Sequence, residues 1–155
     1  MGLIIPEHEM PILEDLCRPA WVAMGLTNDI VSYEKEKRAA QTAGKRFFCN
    51  AISVLMNRQS DNDHDISEVD AEELVRQEIA RNVSRFVNVT LPDTRIRTDI
   101  SSDLRLFVES TQYLISGNVA WSLNAPRYNP GAQYNSRQLD WMLNGTPRVF
   151  SKVGV

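Results

Sequence analysis

The sequence predicts an all-α chain, and three observations predict it. Leu74, Val75, Ile79, Val83, Phe86 and Val87 recur at three- and four-residue steps, the spacing of one helical face. No period-two stretch of any length argues for a sheet. Prolines and glycines punctuate the apolar runs, at Pro11, Pro19, Gly44, Pro92 and Pro126, where helices begin or stop.

Taken in order, Pro11 opens a first helix, because the N–H it lacks is not needed in a first turn. Ile12, Leu13 and Cys17 form its inner side. Pro19 is expected to kink or restart it ahead of a long helix over about residues 20–41, which Gly44 ends. A short apolar helix from Cys49 to Met56 and a polar loop from Gln59 to Ser67 come next. The amphipathic segment through Val87 follows, and Pro92-Asp93 is expected to break it. A last long helix runs from about Asp99 to Asn124 and stops at Ala125-Pro126. Residues 129–155 read as an irregular C-terminal tail, with one short helix around Gln138 to Leu143. A chain of 155 residues without internal repeat or linker makes a single domain.

A net charge of −3 offers no basic surface for nucleic acid. Leu3-Ile-Ile5 is far too short for a secretory or membrane segment, so no membrane partner and a cytoplasmic location are expected. Cys17 and Cys49 are expected to be reduced, buried thiols. Asp61, Asp63, Asp65 and Glu72 fall at four ligand positions of a calcium loop. Ile66 stands where that loop's sharp turn needs glycine, so the segment reads as a solvated inter-helix loop, with His64 on its surface.

The chemistry concentrates in Asn28-Asp-Ile-Val-Ser-Tyr-Glu-Lys-Glu36. Asn28, Ser32 and Glu36 stand four apart and share a helical face, drifting about 40° per step. They offer an amide carbonyl, a hydroxyl and a carboxylate. An all-oxygen set with one formal charge suits a hard cation such as Mg²⁺, which keeps waters and completes its shell with substrate phosphates. Lys35 stands beside Glu36, where its ammonium can meet the same phosphates. The bland reading is a wet helix face. Asn and Ser are mediocre helix formers that need a reason to sit mid-helix, and the preceding run Trp21-Val-Ala-Met-Gly-Leu26 suggests a buried setting.

This nonapeptide resembles the second metal-binding motif of class I terpene synthases: Asn or Asp, Asp, two variable residues, Ser or Thr, three variable residues, Glu. Downstream, Gly117-Asn-Val-Ala-Trp-Ser-Leu-Asn-Ala-Pro-Arg-Tyr128 resembles the family's last active-site helix, which ends in an Arg-Tyr pair. Glu14 to Ala40 most resembles the cyclase half of fungal bifunctional prenyltransferase–terpene cyclases, and the likeness covers residues 3 to about 130.

The resemblance implies the C-terminal half of the helical class I terpenoid synthase fold. It also implies ionisation of an allylic prenyl diphosphate and cyclisation of the carbocation, in fungal secondary metabolism. Asn28, Ser32 and Glu36 would hold one Mg²⁺, and Lys35, Arg127 and Tyr128 the diphosphate. Trp121 and Asn118 either line the apolar pocket or simply pack. No aspartate-rich run precedes residue 28, so residues 1–155 are expected to form a partial cyclase domain, inactive alone. A chain or domain supplying the N-terminal half would complete it. The alternative is a catalytically dead helical remnant that serves as a binding or interaction module.

Overall fold

A computed structural model describes residues 2–58 and 66–128, and every element among them is helical. A single 3₁₀ turn, Glu7–Glu9, leads into α1, Met10–Thr42. Then follow α2, Ala51–Met56, and α3, Glu68–Arg85. A π-helical turn, Phe86–Thr90, joins α3 to α4, Leu91–Ile96, and α5 runs Ser102–Asn124. The core of the expected solvated inter-helix loop, Asp61 to Asp65 with His64, and the tail 129–155 lie outside the described residues.

Pro19 neither ends nor restarts α1, which runs through it for 33 residues. A mid-helix proline forfeits one backbone hydrogen bond and crowds the preceding turn. Here it is buried beside Leu16, Cys17 and Ala20, whose packing on α5 favours the helix despite that cost. Gly44 does end α1, at φ +64°. Its N–H donates to Gln41 O (3.0 Å), and Lys45 N–H donates to Ala40 O (2.8 Å). That pair of reverse bonds satisfies two terminal carbonyls and needs a left-handed residue, which glycine supplies without a Cβ clash.

Pro92 also fails to break its helix. It stands near the start of α4, directly after the π turn, and the chain stays helical to Ile96. The wide π turn adds a fraction of a residue to the period and rephases the apolar stripe. Ala71, Val75, Phe86 and Leu91 are buried, whereas Leu74 and Val87, expected on the inner face, are exposed.

Two apolar clusters hang on α1. Near its start, Leu13, Leu16, Cys17 and Ala20 pack with Phe86, Leu104 and Val108. Farther along, Tyr33 packs with Ile52, Ala71 and Val75. Each fully buried large apolar side chain contributes about 1.5–3 kcal/mol of transfer free energy. The run from Trp21 to Leu26 is less enclosed than its apolarity suggests, since Trp21, Val22 and Gly25 are exposed and only Ala23 is buried. Of the two thiols, Cys17 is buried as expected and Cys49 is exposed, because it precedes the first turn of α2.

α1 and α5 lie side by side and point the same way. The Cys17 thiol meets the Thr111 hydroxyl at 3.8 Å, and seven residues later Asn118 Nδ2 donates to Met24 O at 3.4 Å, so the offset is constant. At the starting end, the buried Glu9 carboxylate accepts from Ser101 N (2.8 Å) and Ser101 Oγ (2.6 Å). That carboxylate thereby ties the N-cap of α5 to the first turns of the chain.

Candidate functional site

The Asn28–Glu36 segment is regular helix, so Asn28, Ser32 and Glu36 do share a face of α1. What differs is the partner of each. Asn28 Nδ2 donates to the Tyr128 hydroxyl at 3.0 Å. Glu36 Oε2 accepts from Asn50 Nδ2 at 3.1 Å. Between them Ser32 is 2% exposed, and its Oγ has no hydrogen-bond partner among the described residues. Helical serines usually return the hydroxyl to the carbonyl four residues back. Ser32 does not, and an unsatisfied buried hydroxyl costs about 1–3 kcal/mol.

The oxygens left over are the informative ones. Among the described residues no group donates to Asn28 Oδ1 or Glu36 Oε1, since each residue makes its bond through its other polar atom. One face of α1 therefore carries three unengaged oxygens in a row, an amide, a hydroxyl and a carboxylate. A hard cation fits such a donor set. Among the described residues no cluster of three His, Cys, Asp or Glu side chains could hold a metal, which leaves this mixed row as the candidate.

Tyr128 gathers the basic and aromatic residues. Lys35 Nζ lies 5.7 Å from its ring centroid, and the Arg127 guanidinium lies over the same ring at 5.7 Å. Trp121 meets it edge-on at 5.9 Å. As expected from Ala125-Pro126, α5 stops at Asn124, and the Arg-Tyr pair lies beyond it. The pair sits in the turn just after the helix, closed by Tyr128 N–H to Ala125 O at 3.0 Å. Pro126 explains this: α5 yields to extended backbone at Ala125, the residue before the proline. Trp121 is 56% exposed, so it is no core residue in this chain, and Asn118 is occupied in binding α1.

Two residues escaped the sequence reading. Asn50 caps α2, its Oδ1 accepting from Ile52 N (3.1 Å), while its Nδ2 donates both to Asp29 O (2.8 Å) and to Glu36. Asp29 Oδ2 accepts from Ala51 N at 2.9 Å. Burial pushes the Asp29 carboxyl above its usual range, the Ala51 N–H opposes this, and the Glu36 charge adds to it. The sequence signal for Asn50 was its place as an N-cap before an apolar run. Nothing in sequence linked it to Glu36.

A cavity of about 660 Å³ opens on another side, between α1, α2 and α3. Leu26, Val54, Leu55, Leu74 and Val75 line it, and Asp29 and Asn50 form its polar edge, but none of the expected site residues faces it.

Residues 1–85 match the family described as terpene synthase family 2, C-terminal metal binding. The chain belongs to that family. It is 39% identical over 153 residues to the bifunctional type I diterpene synthase tndC of Aspergillus flavipes, covering 99% of this chain and 19% of that one. It is 41% identical over 151 residues to the fusicoccadiene synthase of Phomopsis amygdali, with 97% of this chain and 20% of that one covered. A bifunctional sesterterpene synthase of Aspergillus aculeatus is 38% identical over 153 residues, 99% of this chain and 21% of its own. The chain thus spans about a fifth of the length of these curated relatives. Membership in this terpene synthase family agrees with the all-α architecture.

Proposed function

We propose that this chain forms one wall of a class I terpene cyclase site acting on an allylic prenyl diphosphate. The observation that carries the reading is the Asn28–Tyr128 hydrogen bond, which joins the two motifs across one hundred positions of sequence. Asn28 Oδ1, Ser32 Oγ and Glu36 Oε1 would ligate one Mg²⁺, the unpartnered Ser32 hydroxyl being the feature that most needs a ligand. Bound Mg²⁺ supplies neutralisation of negative charge on the departing diphosphate.

The side chains around Tyr128 do the rest. Lys35 and Arg127 are both cations in contact with one phenol ring, placed to donate to phosphate oxygens, and the phenol hydroxyl is a further donor. Positive charge fixed where anionic charge develops lowers the barrier to ionisation. Trp121 lies beside this cluster, where cation–π attraction of about 2 kcal/mol or more from its indole would stabilise a desolvated carbocation. Asn118 fixes the helix that carries Trp121.

A cyclase must also exclude water. Here Trp121, Leu114, Leu123 and Tyr113 of α5 are exposed, with Trp21 and Val22 of α1. These apolar residues support a further chain or domain that supplies the N-terminal half of the site. Among the described residues no helix is long and apolar enough to cross a membrane.

Calorimetry with Mg²⁺ and inorganic pyrophosphate tests the reading. The wild type binds the two ions in a coupled way, each tightening the other, and Glu36→Ala loses the coupling while its circular dichroism stays helical. Equal binding by both proteins would reduce Glu36 to a surface carboxylate.

A further inference from the structure

We infer that Asn50 is a positioning residue for the metal-ligating carboxylate of Glu36. The inference rests on the proposed Mg²⁺–diphosphate reading and adds to it a residue outside both motifs. Asn50 is 2% exposed, and each end of its amide is engaged. Oδ1 caps α2 by accepting from Ile52 N, and Nδ2 is shared between the Asp29 carbonyl and Glu36 Oε2.

The consequence for Glu36 follows from valence and freedom. A glutamate on a helix face has three rotatable bonds, and fixing them at binding costs about 1.5–2 kcal/mol of side-chain entropy. Holding Oε2 on a buried, immobile donor removes much of that freedom beforehand. It also leaves Oε1 as the oxygen turned to other partners. Asn50 is itself immobile because it closes the first turn of α2 and is bonded to the α1 backbone, and Asp29 Oδ2 fixes the neighbouring Ala51 N–H. The start of α2 is thus a rigid bracket against which the carboxylate leans. Groups that orient a metal ligand in this way change affinity by about 10–100-fold when removed.

A purely structural N-cap would behave differently, and the two roles separate experimentally. Asn50→Ser and Asn50→Thr both keep an oxygen that can cap α2, but neither has an amide to donate to Glu36. Coupled binding of Mg²⁺ and inorganic pyrophosphate is measured by calorimetry, with thermal unfolding followed in metal-free buffer, for these variants, wild type, Glu36→Ala and Ser67→Ala. Ser67 caps α3 and touches no part of the site. The expected result is a fall of about tenfold or more in coupled affinity for both Asn50 variants, with a melting temperature close to wild type. Ser67→Ala shows the reverse pattern, a lower melting temperature with unchanged binding.

Wild-type affinity in both Asn50 variants, with Glu36→Ala still losing its coupling, overturns the positioning role and leaves the metal reading intact. Loss of affinity only in proportion to lost stability, as in a general weakening, overturns it equally. Wild-type binding by Glu36→Ala defeats the metal reading itself.

Discussion

Asn28 and Tyr128 are in direct contact, the amide donating to the phenol hydroxyl across 3.0 Å between α1 and the turn after α5. A half-buried bond of this kind contributes about 0.5–1.5 kcal/mol net. Asn28→Ala and Tyr128→Phe should each lower stability by an amount in that range. In a double-mutant cycle the two losses should fail to add by a similar amount. Urea unfolding in the presence of a chelator measures it, and strictly additive losses would mean the contact contributes nothing.

Terpene formation by the 155-residue chain alone is not expected. The apolar residues of α5 that would enclose a carbocation are open to solvent, Trp121 at 56% and Tyr113 at 71% exposure. A cation in contact with water is quenched before it cyclises. Geranylgeranyl and geranylfarnesyl diphosphate, incubated with the protein and Mg²⁺ and analysed by mass spectrometry, should yield no cyclic hydrocarbon. Adding an upstream half from a close relative should restore metal-dependent product. A defined cyclic product from the lone chain, lost in Asn28→Ala, would contradict this.

The helices were readable because local rules decided them, and the misjudged points are those where packing or backbone geometry overruled a local rule. Pro19 is a breaker by propensity, yet Cys17 and Ala20 pack on α5 closely enough to carry α1 past it. Val87 fits a 3.6-residue period, but the π turn at Phe86–Thr90 is invisible to a periodicity argument and moves the buried stripe past it, whereas Leu74, upstream of that turn, is exposed and lines the cavity between α1, α2 and α3. In the site, spacing alone placed Asn28, Ser32 and Glu36 on one face. The bonds from Asn50 could not be read, because they depend on how the loop after Gly44 returns to α1.

The two thiols should react very differently. Burial pushes the Cys17 thiol up, partly offset by its contact with Thr111, so it holds little thiolate at neutral pH and is screened from reagents. Cys49 is exposed. An aromatic disulfide reagent should titrate one thiol per chain in native buffer and two in denaturant. Rapid reaction of both in the native state would show that the α1–α5 core opens readily.

Alkaline unfolding should report on Tyr33. Burial, and then its hydrogen bond to Glu68 Oε2 at 2.9 Å, raise its pKa from 10.0 to about 12. A folded-state value above the unfolded one means the contribution is intact below pH 10 and is lost as pH rises toward about 12. Lys37, raised chiefly by its bond to Glu68, shifts in the same direction. Wild type should therefore lose urea resistance between pH 10 and 12 more steeply than Tyr33→Phe. Parallel profiles would remove Tyr33 from the account.

Two glycine substitutions should move stability in opposite directions. Gly44 sits at φ +64°, where a Cβ is strained, so Gly44→Ala should cost about 1 kcal/mol. Gly117 lies within α5 with open space where a Cβ would go, so Gly117→Ala should gain up to about 1 kcal/mol. Thermal melts of the two variants decide the matter.

The parallel course of α1 and α5 sets the order in which the chain can assemble. Antiparallel neighbours can be joined by a few residues, but two helices pointing the same way need a return path, here everything from Ala43 to Ser101. Cys17 meets Thr111 and Asn28 meets Tyr128 only once that path has folded. Contacts of such long sequence separation form slowly, because chain entropy is lost before they reward it. Helical ellipticity should therefore recover early in refolding, with Mg²⁺–pyrophosphate binding returning in a later phase. A stopped-flow experiment in which both signals rise together would show the helices and the site to be one kinetic unit.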